Sequence, residues 1–284
     1  MADCFLNGKF LPIEEAHISV LDRGFIFGDG IYEYVPVYAG KPFRLEEHLQ
    51  RLARCCAEIG LANPYTAAQW RDIIQELIAR SGSHNQGIYW QVTRGVAKRD
   101  HSFPKDTSPT VFMMSNPLVS PTPQQVSQGV RACTFPDVRW HRCDIKSISL
   151  LGNVLAKQHA SEQDCAEVVM IRHGKVSEAS TSNVFLVKNG RIISPPKDNL
   201  ILPGITLGAV YDHAKLIGVA LDIREVDESE LWTCDELWLS SSSKEVLAIT
   251  TLDDKPVATG KPGPVFQKMH ASVRAEIEAM QQHG

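Results

Sequence analysis

The chain has 284 residues, enough for one large or two ordinary domains, each with its own apolar interior. Hydrophobic residues make up 43% and charged residues 22%, a balance that excludes a disordered or fibrous protein. A net charge of -4 with a pI near 6.2 supplies no broad basic field, which argues against nucleic acid as a partner.

The first ten residues contain no positive segment followed by an apolar stretch, and no run of about 18 apolar residues occurs anywhere. A cytoplasmic protein without a membrane partner is therefore expected. Strand-rich stretches are predicted at 31–38, 87–93 and 110–114. Over 44–60, Leu45, Leu49, Leu52, Cys56 and Ile59 recur at helical spacing, with Arg51 off the apolar stripe. Thr66 followed three residues later by Gln69 is a capping-box pattern; Trp70, Ile73, Ile74 and Leu77 continue the helix and Gly82 ends it. Residues 1–117 read as an α/β domain. The segment 118–128, with Pro121, Pro123 and no apolar periodicity, reads as an exposed interdomain linker.

Residues 129–284 are richer in strands, at 129–135, 167–176 and 184–193, with hairpin signals at His173-Gly174 and Asn189-Gly190. Helices are expected at 149–163, 206–217 and 266–281, the last with Phe266, Met269, Val273 and Ile277 on one face. The pattern is that of a two-domain α/β or α+β enzyme. Seven cysteines show no CxxC spacing and read as reduced, mostly buried thiols; no metal site is expected. Cys55 and Cys56, neighbours on a helix, point about 100° apart and make a poor redox pair.

Lys146 lies in Cys143-Asp144-Ile145-Lys146-Ser147, between a predicted strand and a predicted helix. Glu178 follows in the run ending Asn183-Val184-Phe185, and Leu202-Pro203-Gly204-Ile205-Thr206 then opens a helix. Leu21-Asp22-Arg23-Gly24, Phe27-Gly28-Asp29-Gly30-Ile31-Tyr32-Glu33, Gln91-Val92-Thr93-Arg94-Gly95 and Arg139-Trp140-His141-Arg142 complete an ordered set. Over nearly the whole chain this set resembles the fold-type IV (class IV) pyridoxal-phosphate (PLP) enzymes. That family holds D-amino acid and branched-chain aminotransferases and aminodeoxychorismate lyase, and the likeness is to the D-amino acid branch. The resemblance implies an N-terminal α/β domain, a larger strand-rich, barrel-like C-terminal domain with the cofactor cleft between them, and a homodimer.

PLP needs an amine that holds its aldehyde as a Schiff base and, once freed, moves the proton between substrate Cα and the cofactor. Lys146 is the candidate for both tasks. Free lysine, near pKa 10.4, is protonated at neutral pH, so nearby cations or burial must lower it. By the resemblance Glu178 faces the pyridine nitrogen and keeps it protonated, and a buried carboxylate there requires a cation opposite it. A phosphate suits a helix N-terminus, here the amides of Gly204, Ile205 and Thr206 with the Thr206 hydroxyl, which can also cap the helix. The resemblance adds Arg51 and Ser242, the latter in the run Ser240–Ser243, as cofactor-binding residues.

The substrate carboxylate falls to Tyr32, Arg99 and His101. Arginine binds a carboxylate through two parallel hydrogen bonds, and an extended segment places Arg99 and His101 on one face. By the resemblance this Arg-x-His pair separates D-amino acid aminotransferases from their branched-chain and lyase relatives. Trp140 on its own reads as a buried core residue. Two positions depart from the family signature: Leu207, where a basic residue is usual, and Ser194, in place of threonine.

The reaction implied is transamination of a D-amino acid with a 2-oxo acid, for example D-alanine with 2-oxoglutarate to pyruvate and D-glutamate. A branched-chain L-amino acid aminotransferase, an aminodeoxychorismate lyase and a non-catalytic binding protein on the same fold are the alternatives.

Overall fold

Asn7-Gly8, both at positive φ, form the tight turn that joins β1 (Asp3–Leu6) to β2 (Lys9–Pro12). The computed structural model describes residues 3–282, in two compact units. One takes the chain up to Val119 together with Ile145–Leu150; the other takes Ser120–Asp144 and the chain from Leu151 onward.

The first unit continues with α1 (Arg23–Phe27), β3 (Gly30–Tyr38), β4 (Lys41–Pro42), α2 (Leu45–Glu58), α3 (Ala67–Ser81), β5 (Gln86–Thr93) and β6 (Thr110–Pro117). Its sheet is antiparallel throughout, in the order β2-β1-β6-β5-β3-β4. Period-two alternation in β3 buries Ile31, Glu33, Val35 and Val37 on the face covered by α2, so Tyr32 and Tyr34 point to the other face. Leu49, Leu52 and Cys56 are buried as their spacing predicts, but the buried face of α2 is wider and includes His48, Arg51 and Cys55. Arg51 is therefore an inward-facing residue. Trp70, Ile74 and Leu77 of α3 join Trp90 and Met113 in this core, and Thr66 and Gln69 complete the capping box.

Gly28 ends α1 in the left-handed region, at φ 64°. A Cβ there would lie 2.5 Å from Ser149 Oγ, which donates to the Gly28 carbonyl at 3.0 Å. Glycine alone lets the 145–150 segment sit this close to α1.

The second unit opens with α4 (Pro123–Gln128), so residues 118–128 are not a plain connector. Thr122 and Gln125 form a full capping box with Pro123 in the first turn, and the helix buries none of its residues. It continues with β7 (Val130–Pro136), α5 (Leu151–Glu162), β8 (Glu167–Arg172), β9 (Lys175–Ala179), β10 (Asn183–Lys188), β11 (Arg191–Ser194), α6 (Ile205–Leu216), β12 (Leu221–Ile223), β13 (Glu236–Ser241), β14 (Glu245–Leu252), β15 (Lys255–Pro256) and α7 (Pro264–Gln282). The turns at His173-Gly174 and Asn189-Gly190 divide the two long strand signals into hairpins, with all four residues at positive φ.

The strand order is β12-β11-β10-β13-β14-β7-β8-β9, with β15 on β14 and parallel pairs at β11/β12, β14/β7 and β7/β8. Residues 180–182 alone connect β9, at one end of that order, to β10, third from the other end, and Ala179 N donates to Ser182 O across the turn at 2.8 Å. A flat sheet would separate those strands by about 5 Å per intervening strand, so the sheet must curl back on itself into a partial barrel. Phe266, Met269, Val273 and Ile277 of α7 are buried as predicted.

All seven cysteines are free, and every one but Cys165 is buried. Among the described residues no helix is long and apolar enough to cross a membrane.

Candidate active site

In the first unit, the segment bearing Lys146 is laid along β3 as an extra rung. Tyr32 N donates to Lys146 O at 2.9 Å, Ile31 and Ser147 form a bridge, and Lys146 N points at Cys55 Sγ of α2 at 3.4 Å. The backbone being fixed, the amine lies 4.0 Å from the centroid of the Tyr32 ring. Tyr32 thus lies beside Lys146, and its own ring leans on Tyr89.

Behind this rung, on the opposite face of β3, Glu33 is fully buried and holds Arg51 through two hydrogen bonds of 2.7 and 2.8 Å. His48 Nδ1 lies 2.8 Å from the same carboxylate. The Arg51 guanidinium holds the Glu33 carboxyl far below the usual range against the effect of burial, and burial lowers the His48 pKa. The Arg51 side chain is in this way pinned by two parallel bonds, which fixes the direction of its remaining donors. Glu33 and His48 were missed in the sequence, although His48 and Arg51 stand three residues apart on one helix face.

Arg99 and His101 lie on the loop between β5 and β6, both exposed. The loop is not an extended strand. Both side chains nonetheless lie against Phe27, each at 5.3 Å from its ring centre.

In the second unit, Glu178 at the end of β9 is 4% exposed and so is not a surface glutamate. Its Oε1 accepts from Arg139 Nη1 at 2.5 Å, its Oε2 from Asn183 Nδ2 at 3.1 Å, and both oxygens lie 3.1 Å from Leu202 N. Arg139 is in turn clasped by Asp137, at 2.9 Å through both Nε and Nη2, and Arg172 and Ser177 also donate to Asp137. Asp137 thus takes much of the charge of Arg139, and burial pushes the Glu178 carboxyl up to about 7 despite the guanidinium beside it. Arg139 is the one cationic donor to this carboxylate among the described residues, and its charge is shared with Asp137. The cation expected opposite Glu178 is Arg139, 39 residues away in the chain. In the sequence Arg139 stood within the motif Arg139-Trp140-His141-Arg142, with nothing to mark it as the partner of Glu178.

Gly204 is the N-cap of α6, with no side-chain cap, so Thr206 lies inside the first turn and does not cap the helix as expected. The amides at this helix start keep their anion-binding capacity. A Cβ at Gly204 would fall 2.3 Å from Asn183 Oδ1, so the tight approach of this turn to β10 needs glycine. Opposite Asn183 in the β10/β13 register stands Ser240, whose buried hydroxyl has no hydrogen-bond partner among the described residues. Ser242 is in the turn joining β13 to β14. Leu207 is buried on α6, where a basic residue would lose its hydration, and Ser194 Oγ is 2.9 Å from the Tyr211 hydroxyl. Trp140 is about half exposed and is no core residue.

A buried carboxylate whose one guanidinium is shared with Asp137, an unpartnered buried hydroxyl and an uncapped helix start within one unit match a ligand with a protonated ring nitrogen and a phosphate. The profile of the amino-transferase class IV family matches residues 30–252. The chain is 40% identical to a D-alanine aminotransferase of Staphylococcus haemolyticus, covering 98% of this chain and 99% of that one. Among solved structures, the branched-chain amino acid aminotransferase of Escherichia coli superposes with a TM-score of 0.91 at 21% identity, over 99% of this chain and 96% of that one. The branched-chain amino acid aminotransferase of T.th., solved with pyridoxamine 5'-phosphate, does so with a TM-score of 0.90 at 23% identity, over 99% and 95%. With a family match across most of its length and a relative at this identity end to end, the chain belongs to the class IV aminotransferases.

Proposed function

We propose that this chain is a PLP-dependent aminotransferase that moves the amino group of a D-amino acid, D-alanine first among them, to a 2-oxo acid such as 2-oxoglutarate. The carrying observation is the end-to-end likeness to D-alanine aminotransferases. The branched-chain enzymes share the fold at 21 and 23% identity, which speaks for the scaffold and not for the substrate.

Bound PLP supplies an aldehyde to carry the amino group and a ring that accepts electrons. Lys146 is the amine that attaches to it and the base that moves the proton at the substrate Cα. Glu178, kept in orientation by Arg139, Asn183 and Leu202 N, accepts from the ring N–H, and the positive charge there offsets its burial. The Ile205 and Thr206 amides and the Thr206 hydroxyl hold the phosphate, joined by Arg51 and Ser242. Tyr32, Arg99 and His101 orient the substrate carboxylate.

The enzyme works as a homodimer, a reading supported by an exposed apolar face on α5. Seven free thiols suit the reducing cytoplasm, where we place it.

Purified enzyme offered D-alanine or L-leucine, each with 2-oxoglutarate, tests the substrate. Pyruvate and D-glutamate from D-alanine are expected. Turnover of L-leucine alone would replace this reading with the branched-chain one, and pyruvate eliminated from aminodeoxychorismate with no 2-oxo acid present would indicate a lyase. Should the protein stay colourless with PLP, and borohydride add no cofactor mass to the Lys146 peptide, a binding protein without catalysis would be the better description.

A further inference from the structure

The loop that carries Arg99 and His101 is exposed, yet its backbone is gripped from beneath by a buried guanidinium. Arg23, 3% exposed, donates Nη1 to the Asp100 carbonyl at 2.5 Å and approaches the Ser102 carbonyl at 3.4 Å. Its Nε is held by Asp29 Oδ2 at 2.7 Å. Asp29 is shared with a second arginine: Arg94 reaches it at 2.8 and 3.0 Å, donates to the Ile59 and Gly60 carbonyls, and lies 3.6 Å from the ring centre of Phe103. One carboxylate thus fixes two guanidiniums, and both ends of the short segment 100–103 rest on them.

Burying an arginine is costly unless its donors are satisfied. Here the donors of Arg23 go to main-chain carbonyls of the loop, which leaves the side chains of Arg99 and His101 outside that network. Phe27 then gathers those side chains: Arg23 lies 4.8 Å from its ring centre, and Arg99 and His101 each 5.3 Å. The charge of Arg23 is matched by Asp29, whereas Arg99 makes no ion pair among the described residues. An anion arriving at this face meets Arg99 first.

We infer that Arg23 and Phe27 are positioning residues for substrate recognition, Arg23 by fixing the backbone of residues 100–102 and Phe27 by aligning Arg99 with His101. This rests on the reading that Arg99 and His101 bind the substrate carboxylate. A displacement of about 1 Å in such a pair costs binding far more than it costs chemistry at Lys146.

The test compares Arg23→Gln, Arg23→Lys and Phe27→Leu in the holoenzyme, with Arg99→Ala as a check on the underlying reading. Arg23→Gln and Phe27→Leu are expected to raise KM for D-alanine about tenfold while kcat stays within about twofold. Amide hydrogen exchange over residues 98–104 should quicken in both, and Arg23→Lys should recover part of the lost KM. A purely structural role would lower the yield of folded enzyme without this split between KM and kcat. Phe27→Leu keeps an apolar side chain and decides the matter if Arg23→Gln does not fold. If Arg99→Ala raises KM while Phe27→Leu and Arg23→Gln leave KM and exchange at wild-type values, the inference is overturned and the carboxylate reading stands. If Arg99→Ala leaves KM unchanged, the carboxylate reading fails and the inference falls with it.

Discussion

Glu178 is surrounded by donors, but the one guanidinium among them is already claimed by Asp137. In the unfolded chain its carboxyl titrates near 4.5, and burial moves it to about 7 in the fold. Below the lower value the group is protonated in both states and contributes no penalty. As pH rises through the upper value the folded protein must ionise a buried group, so the stability present at low pH is lost, by about 3 kcal/mol. Glu178→Gln, neutral at every pH, escapes that loss. Urea unfolding of the two apoproteins from about pH 4 to about pH 8 should therefore show wild type falling relative to the variant by about 3 kcal/mol. Added PLP should flatten the difference, because a protonated ring nitrogen supplies a second cationic donor, one not shared with Asp137. A constant difference between the two apoproteins would mean that Glu178 is ionised over the whole range and needs no further cation.

The first turn of α6 carries Ile205 and Thr206, and a buried histidine ties the helix to α7. His213 places Nδ1 2.7 Å from Ser272 Oγ and Nε2 2.7 Å from Glu276 Oε2. His213→Ala should lower the unfolding free energy by about 1–3 kcal/mol, since two hydrogen bonds and a packed ring are lost while Ser272 and Glu276 regain water. A loss under about 0.5 kcal/mol in chemical denaturation would show that the helices do not depend on this tie. Elements of this kind were legible in the sequence where one residue class repeats at a fixed interval: the leucines of α2, the apolar positions of α7 and both glycine hairpins. The first hairpin, at Asn7-Gly8, was not read from the sequence, because its strands are four residues each and give no periodicity to accompany the turn. For α4 the prolines outweighed the Thr122/Gln125 box, although proline in a first helical turn favours a helix. The site was legible only as a set of candidate residues. Which charges share partners was not, because Arg139 with Glu178 and Glu33 with Arg51 are joined by folding over 39 and 18 residues, and an arginine on a helix flank is scored as polar whether buried or not.

At the scale of the molecule, α5 has its amphipathic character reversed. It buries only Ala156 and Ala160 against its own sheet, while Leu151, Val154 and Leu155 are 71, 58 and 52% exposed. Val138 and Trp140 are also exposed, and they flank Arg139, whose side chain packs on Gly152 in the first turn of the helix. Covering a leucine or valine contributes about 1.5–3 kcal/mol, so a second copy laid on this face would gain several such terms at once. Isologous pairing also uses the same patch twice, which makes one continuous face sufficient for a dimer. Val154→Asp with Leu155→Asp puts four carboxylates into that interface, two from each copy. Light scattering should find wild type at twice the chain mass and the double variant at the chain mass. Its far-ultraviolet circular dichroism should be unchanged, because both positions are exposed within the chain. A monomeric wild type would remove the dimer, and a variant that remains dimeric would move the interface off α5.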